Sequence, residues 1–451
     1  SIELIKYTMI IKKYIIFSQV LFLLFINLSL QAQEKRMSFN VNSFKLKNGL
    51  QVFLSEDNSL PLISVVIAYK VGSLYEKPGK TGLAYMLENL MFYGSNNVGR
   101  MQHISFIQKV GGQLNAETRE DKTIFYQTVP SNQLPLVLWL ESDRMKSLTI
   151  NASNVRKAKN SLIEEIHHRS ANNHYLESSQ YFYQLIYNDF AYSHPVIGKE
   201  EDIANITIED VNNFYHTYYT PNNAVLCIVG NFEGRKIQNI IRKYFETIPR
   251  GETPPPLVLP KVSETKGTVK TLNNYLASLP GFYLGFRIAS PYEDDYYTLS
   301  IIEYILLRGK SSRLYKKLFK KERIAFQFNG GIEKRNDRAI FKIFVTNSNK
   351  ITMQQSQKAI FSEITNLKSN LISKKELLKS KNIFKMDYIN QYDQSIESKA
   401  IFISETFLSQ NTLDNLPNEL ERYLSVTISD VIGIMNRYFT DEKILLNINI
   451  R

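Results

Sequence analysis

The sequence has very little cysteine and histidine, and both scarcities restrict what the chain can be. Its 451 residues include one cysteine, Cys227, and six histidines. One cysteine cannot form a disulfide within the chain, so stability has to come from packing. It also lies far from any position where an N-terminal lipid anchor could be attached. Cys227 falls in the apolar run AVLCIVG, which predicts a buried core residue.

The chain also lacks low-complexity tracts, heptad series and clustered basic segments. With 43% hydrophobic and 22% charged residues it is typical of a globular protein, and its length favours two or three domains. The net charge of +12 comes from lysines and arginines spread along the chain, without a basic tract interleaved with aromatics. We therefore expect no nucleic-acid partner.

The N-terminal segment carries the one long apolar run. Lys12 and Lys13 precede the mostly apolar residues 14–30, and the small residue Ala32 follows. This order is typical of a signal peptide. We expect residues 1–32 to be upstream sequence and signal peptide, and the protein to be exported to the periplasm or outside the cell. Membrane attachment is expected only if this segment stays uncleaved.

An internal repeat indicates a duplicated fold. ITIEDVNNFYHTYYTPNNAVLCI, from Ile206, aligns without a gap on VTISDVIGIMNRYFTDEKILLNI, from Val426. LENLMFYG matches IEYILLRG at nearly the same offset, as REDKTIF matches RNDRAIF. We predict a domain over 37–250, a proline-rich linker over 251–265, and a second domain over 266–451.

Each half contains strand-like segments, such as ISVVIAYKV, and segments with helical spacing of apolar residues, such as GLAYMLENLMFYG. This mixture predicts an α+β fold with two duplicated domains. Each domain is expected to be a mostly antiparallel sheet covered by helices.

Several motifs in order resemble the insulinase/pitrilysin zinc metallopeptidases, which include the mitochondrial processing peptidases. They are VGSLYEKPGKTGLAYMLENLMFYGS, GGQLNAETREDKTIFYQTV, SLIEEIHH, YSHPVIGKEEDI and SSRLYKKLFKKERIAF. The resemblance covers about residues 40–451. It implies that the two domains form half of a clam-shell, which a second similar chain completes around a peptide-sized chamber.

The resemblance also locates the family's zinc site, which this chain has lost in part. In the family's H-x-x-E-H motif two histidines and a downstream glutamate bind zinc, and the inner glutamate is the general base. The matching positions here are Tyr85, Glu88 and Asn89, with Glu165 as the downstream ligand. Only Glu165 is retained among the three ligands. We therefore expect no zinc and no function for Glu88 as a base.

Two further sets of positions follow from the resemblance. Catalytic relatives use an Arg and a Tyr in the second half, where this chain has Phe319 and Phe326. The family's substrate-binding strand follows the motif G-G-x-x-N-A, retained here as Gly111, Gly112, Asn115 and Ala116. This strand captures peptides by β-strand addition. The motif is equally well explained by a turn and an edge strand that folding requires.

The expected function is that of a non-catalytic homologue, acting as the partner subunit of an active peptidase chain, as a homodimer, or as a clamp for extended peptides. One alternative is an active zinc metalloendopeptidase that uses Glu88, Glu165 and a nearby histidine. Another is a structural subunit without a peptide ligand.

Overall fold

The computed structural model describes residues 40–259, 267–348, 351–369 and 372–450. The predicted signal segment and part of the predicted linker lie outside these ranges. Residues 251–259 of the linker form neither helix nor strand. Within the described part of the chain, no helix is long and apolar enough to cross a bilayer.

The first half of the chain forms a six-stranded sheet. Its strands are β1 (Asn42–Lys45), β2 (Gln51–Glu56), β3 (Leu62–Tyr69), β4 (Gln113–Thr118), β5 (Thr123–Pro130) and β6 (Ala224–Gly230). Their order is β1-β2-β6-β3-β5-β4. The β2/β6 pair is parallel and the other neighbours are antiparallel.

The second half repeats this sheet without an equivalent of β1. It contains β7 (Thr268–Asn273), β8 (Gly281–Ile288), β9 (Ala325–Arg335), β10 (Arg338–Asn347) and β11 (Ile444–Asn449), in the order β7-β11-β8-β10-β9. The β7/β11 pair is parallel, as the β2/β6 pair is, and the other neighbours are antiparallel. Two mostly antiparallel sheets of matching topology confirm the predicted α+β fold.

Helices cover both sheets. Those of the first half are α1 (Leu83–Leu90), α2 (Gln102–Lys109), α3 (Leu134–Lys146), α4 (Ala152–Asn172), α5 (Leu176–Tyr187), α6 (Phe190–Ser193), α7 (Glu200–Asn205), α8 (Ile208–Tyr218) and α9 (Gly234–Phe245). Those of the second half are α10 (Asp295–Leu306), α11 (Arg313–Tyr315, continued by a π-helical turn, Lys316–Lys321), α12 (Met353–Lys368), α13 (Lys374–Asp393), α14 (Ile396–Gln410), α15 (Leu416–Ser425) and α16 (Ile428–Tyr438).

The repeat is preserved at the level of helix caps. Thr207 and Asp210 form a capping box at the start of α8, and Thr427 and Asp430 form the same box at the start of α16. Each side chain accepts a backbone N–H that the helix itself cannot satisfy. The aligned threonines and aspartates are therefore explained by a local structural need.

The two halves exchange one helix each. α14, from the second half, packs on β3 and β6 of the first sheet, where Phe407 lies 4.9 Å from Phe53 between ring centroids. α5, from the first half, packs on β8 and β11 of the second sheet. A Cβ on Gly285 would lie 2.5 Å from Phe182 and Ile186, so the close approach of α5 requires glycine there. The predicted domain boundaries stay a prediction, but each sheet relies on a helix from the other half.

The core of the first half lies between its sheet and its helices. Val52, Ile67, Leu87 and Leu226 are fully buried within it. Cys227 is also buried, as predicted, and burial raises the pKa of its thiol to about 12. The thiol is therefore a core group rather than a reactive one.

Candidate functional site

The helix that carries the degenerate motif, α1, is anchored at its N-terminus by a buried carboxylate. Glu76 accepts hydrogen bonds from the backbone N–H groups of Gly82 and Ala84, at 2.9 and 2.8 Å. His194 lies 3.1 Å from the same carboxylate through Nε2. Gly82 has φ of 89°, a left-handed conformation that favours glycine. The start of α1 is thus fixed, and with it the face that presents Tyr85, Glu88 and Asn89.

Glu88 is buried and held by the edge strand β4. Its side chain is 9% exposed and accepts a hydrogen bond of 2.6 Å from the hydroxyl of Thr118. Burial raises the pKa of Glu88, and the neighbouring carboxylates of Glu165 and Glu117 act in the same direction. Hydrogen bonds from Thr118 oppose this shift without cancelling it. Glu88 is thus a shielded carboxyl that accepts hydrogen bonds from its own chain.

Tyr85 and Glu165 are brought together, and Arg169 joins them. The Tyr85 hydroxyl donates to Glu165 Oε1 at 2.9 Å. Arg169, one turn after Glu165 on α4, donates to that same oxygen through Nε at 3.0 Å and Nη2 at 2.6 Å. Its Nη2 also lies 3.0 Å from the Tyr85 hydroxyl. A guanidinium therefore contacts the residues at both the first and the third ligand positions.

Tyr85 remains a neutral phenol in this arrangement. Burial is the main cause that raises its pKa above the ordinary value, and the hydrogen bond to Glu165 acts in the same direction. Arg169 opposes the shift and lies 5.5 Å above the ring. Asn89 is half-buried on the same helix.

The predicted peptide-binding strand, β4, lies at the edge of its sheet and pairs with β5 alone. The backbone N–H of Arg119 bonds to the carbonyl of Lys122 at the end of this hairpin. Paired residues of an antiparallel ladder alternate between bonded and unbonded positions, so Leu114, Ala116 and Thr118 direct their main-chain groups away from β5. The Asn115 side chain accepts the outward N–H of Ala116 at 2.9 Å.

The two glycines of the motif have structural reasons to be there. Gly111 has φ of 78°, and a Cβ on Gly112 would lie 2.6 Å from Val129 and 2.9 Å from Ile107. They are needed for the turn that leads into β4, whether or not the strand binds a peptide.

The two phenylalanines of the second half are placed apart from this site. Phe319 stacks on Tyr315 with ring centroids 5.0 Å apart. Phe326 lies at the start of β9 and is 69% exposed. Among the described residues, no hydrogen bond or ring contact joins either phenylalanine to Tyr85 or Glu165.

Comparison with known proteins gives matches to two family models. The model of the insulinase family (peptidase family M16) matches residues 51–198, and a model described as the peptidase M16 inactive domain matches residues 205–384. The chain belongs to the insulinase family.

Its curated relatives are of similar length. Zinc protease PqqE of Helicobacter pylori is 28% identical over 405 residues, which are 89% of this chain and 90% of PqqE. The uncharacterized zinc protease YmxG of Bacillus subtilis is 24% identical over 415 residues, 90% of this chain and 97% of that protein. This chain is thus a homologue of M16 zinc proteases, and its second half is of the inactive-domain type.

Solved structures share the fold. A protease from Helicobacter pylori has a TM-score of 0.84 and 27% identity, covering 91% of this chain and 99% of its own. The periplasmic protease PqqL from Escherichia coli has a TM-score of 0.77 at 17% identity and covers 92% of this chain. The match spans only 48% of PqqL, so this chain corresponds in fold to about half of that protein.

The residues at the insulinase-family ligand positions do not fit zinc. Arg169 places a positive charge against Glu165 and Tyr85, where a metal would need anionic or lone-pair ligands. A neutral phenol and a carboxamide do not replace two imidazoles. Within the described ranges, no group of three or more His, Cys, Asp and Glu side chains could hold a metal ion.

The histidines near Glu165 do not restore such a site. His167 pairs with Glu200 at 2.9 Å, and His168 contacts Asn172 on its own helix. Neither is joined by a contact to Glu88 or Glu165 among the described residues. An active site using a nearby histidine therefore has no support in this geometry.

The sequence prediction missed Arg169. Its position four residues after Glu165 was the available signal, since side chains at that spacing meet on one face of a helix. The lost histidines show which ligands are absent, but they do not show which group takes their place.

Proposed function

We propose that this chain is a non-catalytic member of the insulinase family that binds extended peptides, as a partner subunit or as a clamp. The observation that carries the proposal is Arg169, whose guanidinium bonds to Glu165 and to the Tyr85 hydroxyl. A positive charge is thereby supplied by the chain itself in place of an ion. Glu88 then has no metal-bound water from which to take a proton.

Peptide capture is supported by the exposed edge of β4. Main-chain groups of alternate residues point outward there, which is the requirement for adding a peptide as an extra strand. Two of the outward N–H groups are already engaged, one by Asn115 and one by Glu88. The N–H of Leu114 is the first donor that a peptide would meet.

A second chain is supported by the comparison of lengths. This chain covers about half of PqqL, described as a periplasmic protease, so two such chains would equal one PqqL. The partner is either an active relative or a second copy. Export to the periplasm is proposed from the N-terminal segment and from the described location of PqqL.

The test measures zinc, cleavage and binding on one preparation. We expect the protein purified without chelator to contain far less than one zinc per chain by mass spectrometry and to leave quenched peptide substrates intact. Fluorescein-labelled peptides from a casein digest should nevertheless bind, with a rise in fluorescence anisotropy.

A matched pair of variants locates the binding. Leu114→Pro removes the outward N–H without removing a bond to β5, whereas Leu114→Ala shortens the side chain and keeps the N–H. Binding should weaken in the proline variant and persist in the alanine variant. Stoichiometric zinc with chelator-sensitive cleavage lost on Glu88→Gln would instead establish an active metallopeptidase. No zinc, no cleavage and no peptide binding would leave a structural subunit.

A further inference from the structure

A second candidate site lies between helices of the second half and the β4–β5 loop of the first half. A cavity of about 320 Å³ is lined by α10, α13, α14 and α15, by the β4–β5 loop at 119–122, and by the end of β9 with the turn that follows it. Its volume is at the lower end of the roughly 300–1,000 Å³ of small-molecule sites. Aromatic side chains form much of its wall: Tyr296, Phe384, Tyr388, Phe402 and Tyr423.

Several charged groups of this cavity are neutralised by one another. Glu405 bonds to Arg119 at 2.8 Å and lies 3.4 Å from Lys122. Glu303 bonds to Arg308 Nε at 2.8 Å. These pairs make the wall polar without offering a strong charge to a ligand.

Lys334 is an exception. Its ammonium makes no hydrogen bond and no ion pair within 4 Å to any described residue. It is exposed to the cavity, so solvent reaches it. Protein atoms nevertheless surround it, and this desolvation lowers its pKa. The charge of Lys122 acts in the same direction, and the carboxylates of Glu405, Asp121 and Glu419 oppose it.

The repeat explains why Lys334 is unpaired. In the aligned hairpins Lys334 takes the position of Thr118, which binds Glu88 in the first half. The counterpart of Glu88 is Glu303, and Arg308 already holds it. Lys334 is therefore left to face the cavity.

An acidic group lines the same cavity. Glu419 accepts a hydrogen bond of 2.7 Å from the Tyr388 hydroxyl but forms no ion pair within the described part of the chain.

We propose that this cavity binds a small zwitterion, a free aromatic amino acid or a dipeptide. The carboxylate of the ligand bonds to Lys334, its ammonium group is held by Glu419, and its side chain packs among the aromatic rings. One ligand of this class supplies a direct ion pair to each group and fills the apolar remainder. The cavity adjoins the loop that follows β4 but not the outer edge of the strand, so binding there does not depend on peptide capture by β4.

Three probes test the charge requirement by isothermal titration calorimetry on the purified protein. They are glycyl-L-phenylalanine, its N-acetylated form and its C-terminal amide. We expect the unmodified dipeptide to bind and each capped form to bind at least about tenfold more weakly, a loss of about 1.4 kcal/mol. Absence of binding by the unmodified dipeptide, or equal binding of all three, overturns the proposal.

Variants assign the two ends of the ligand. Lys334→Met should abolish discrimination against the amide, and Glu419→Gln should abolish discrimination against the N-acetylated form. Lys270→Met, at an exposed lysine on β7, is the matched control and should bind like the parent. Because Lys334 is unpaired, its replacement should not lower Tm, which separates lost binding from lost folding. Unchanged affinity in Lys334→Met contradicts the assignment.

Discussion

The degenerate site of the first half closely resembles its counterpart in the second half. Glu88 aligns with Glu303, and Glu165 follows its helix N-cap by as many residues as Asp387 follows its own. In the first half Tyr85 donates to Glu165 at 2.9 Å, and in the second half Tyr304 donates to Asp387 at 2.8 Å. Both sites thus place a tyrosine hydroxyl on the carboxylate of the long helix.

The two sites differ in which carboxylate the arginine neutralises. Arg169 holds Glu165 and leaves Glu88 with Thr118, whereas Arg308 holds the motif glutamate, Glu303. The first half therefore keeps a buried carboxyl without a cation at the former position of the base. The difference teaches that one arginine and one tyrosine can hold the two carboxylates of this helix pair in more than one arrangement.

Restoring the zinc ligands should have the largest effect. The triple variant Tyr85→His, Asn89→His, Arg169→Ala should bind close to one zinc per chain, measured by mass spectrometry, because it provides two imidazoles and Glu165 without a competing cation. The same two histidines with Arg169 kept should bind at least about tenfold more weakly, a difference of about 1.4 kcal/mol.

Arg308→Ala in the two-histidine background is the control, because Arg308 contacts Glu303 and does not contact Glu165. It should leave zinc binding unchanged. A gain in zinc on removing Arg308 would mean that Arg169 is not the group that replaces the metal.

The next largest effect is expected at the paired glutamate. Arg308→Ala leaves the buried carboxylate of Glu303 without its cation and should lower the free energy of unfolding by roughly 1–3 kcal/mol, measured in urea. Arg308 is 49% exposed and stays hydrated, which limits the loss. Stability equal to that of the parent would show that this pair does not contribute.

The two tyrosines should give matched, smaller losses. Tyr85→Phe and Tyr304→Phe each delete one hydrogen bond to a carboxylate, for about 0.5–1.5 kcal/mol each. Tyr85→Phe also removes an acceptor of the exposed Arg169, which water replaces. Thermal unfolding of both variants, compared at one pH, checks this. A loss confined to one of them would break the correspondence between the two sites.

The smallest effect is expected for Glu88→Gln, and it is a gain in stability instead of a loss. Burial raises the pKa of Glu88, so the folded state favours the protonated form and loses stability as the pH rises through that pKa. The variant should therefore have a higher Tm than the parent at pH 8 and a similar Tm at pH 4. A lower Tm at pH 8 would indicate that the charged carboxylate is stabilising.

Sequence reasoning recovered the architecture better than the contacts. The repeat predicted two matching sheets because strand patterns and capping residues such as Thr207 and Thr427 are local signals. It could not predict the exchange of α5 and α14, since the apolar face of a helix does not specify which sheet it covers. Arg169 and Lys334 were missed for a related reason, as the partner of a charge depends on tertiary geometry.

The exchanged helices mean that the two halves, expressed as separate fragments, should assemble with each other. Because α14 covers the first sheet and α5 covers the second, a fragment ending in the linker would expose an apolar sheet face and tend to aggregate. Co-expressed fragments should complement each other and co-purify without a covalent connection. A single proteolytic cut in the linker would likewise leave an associated, folded particle.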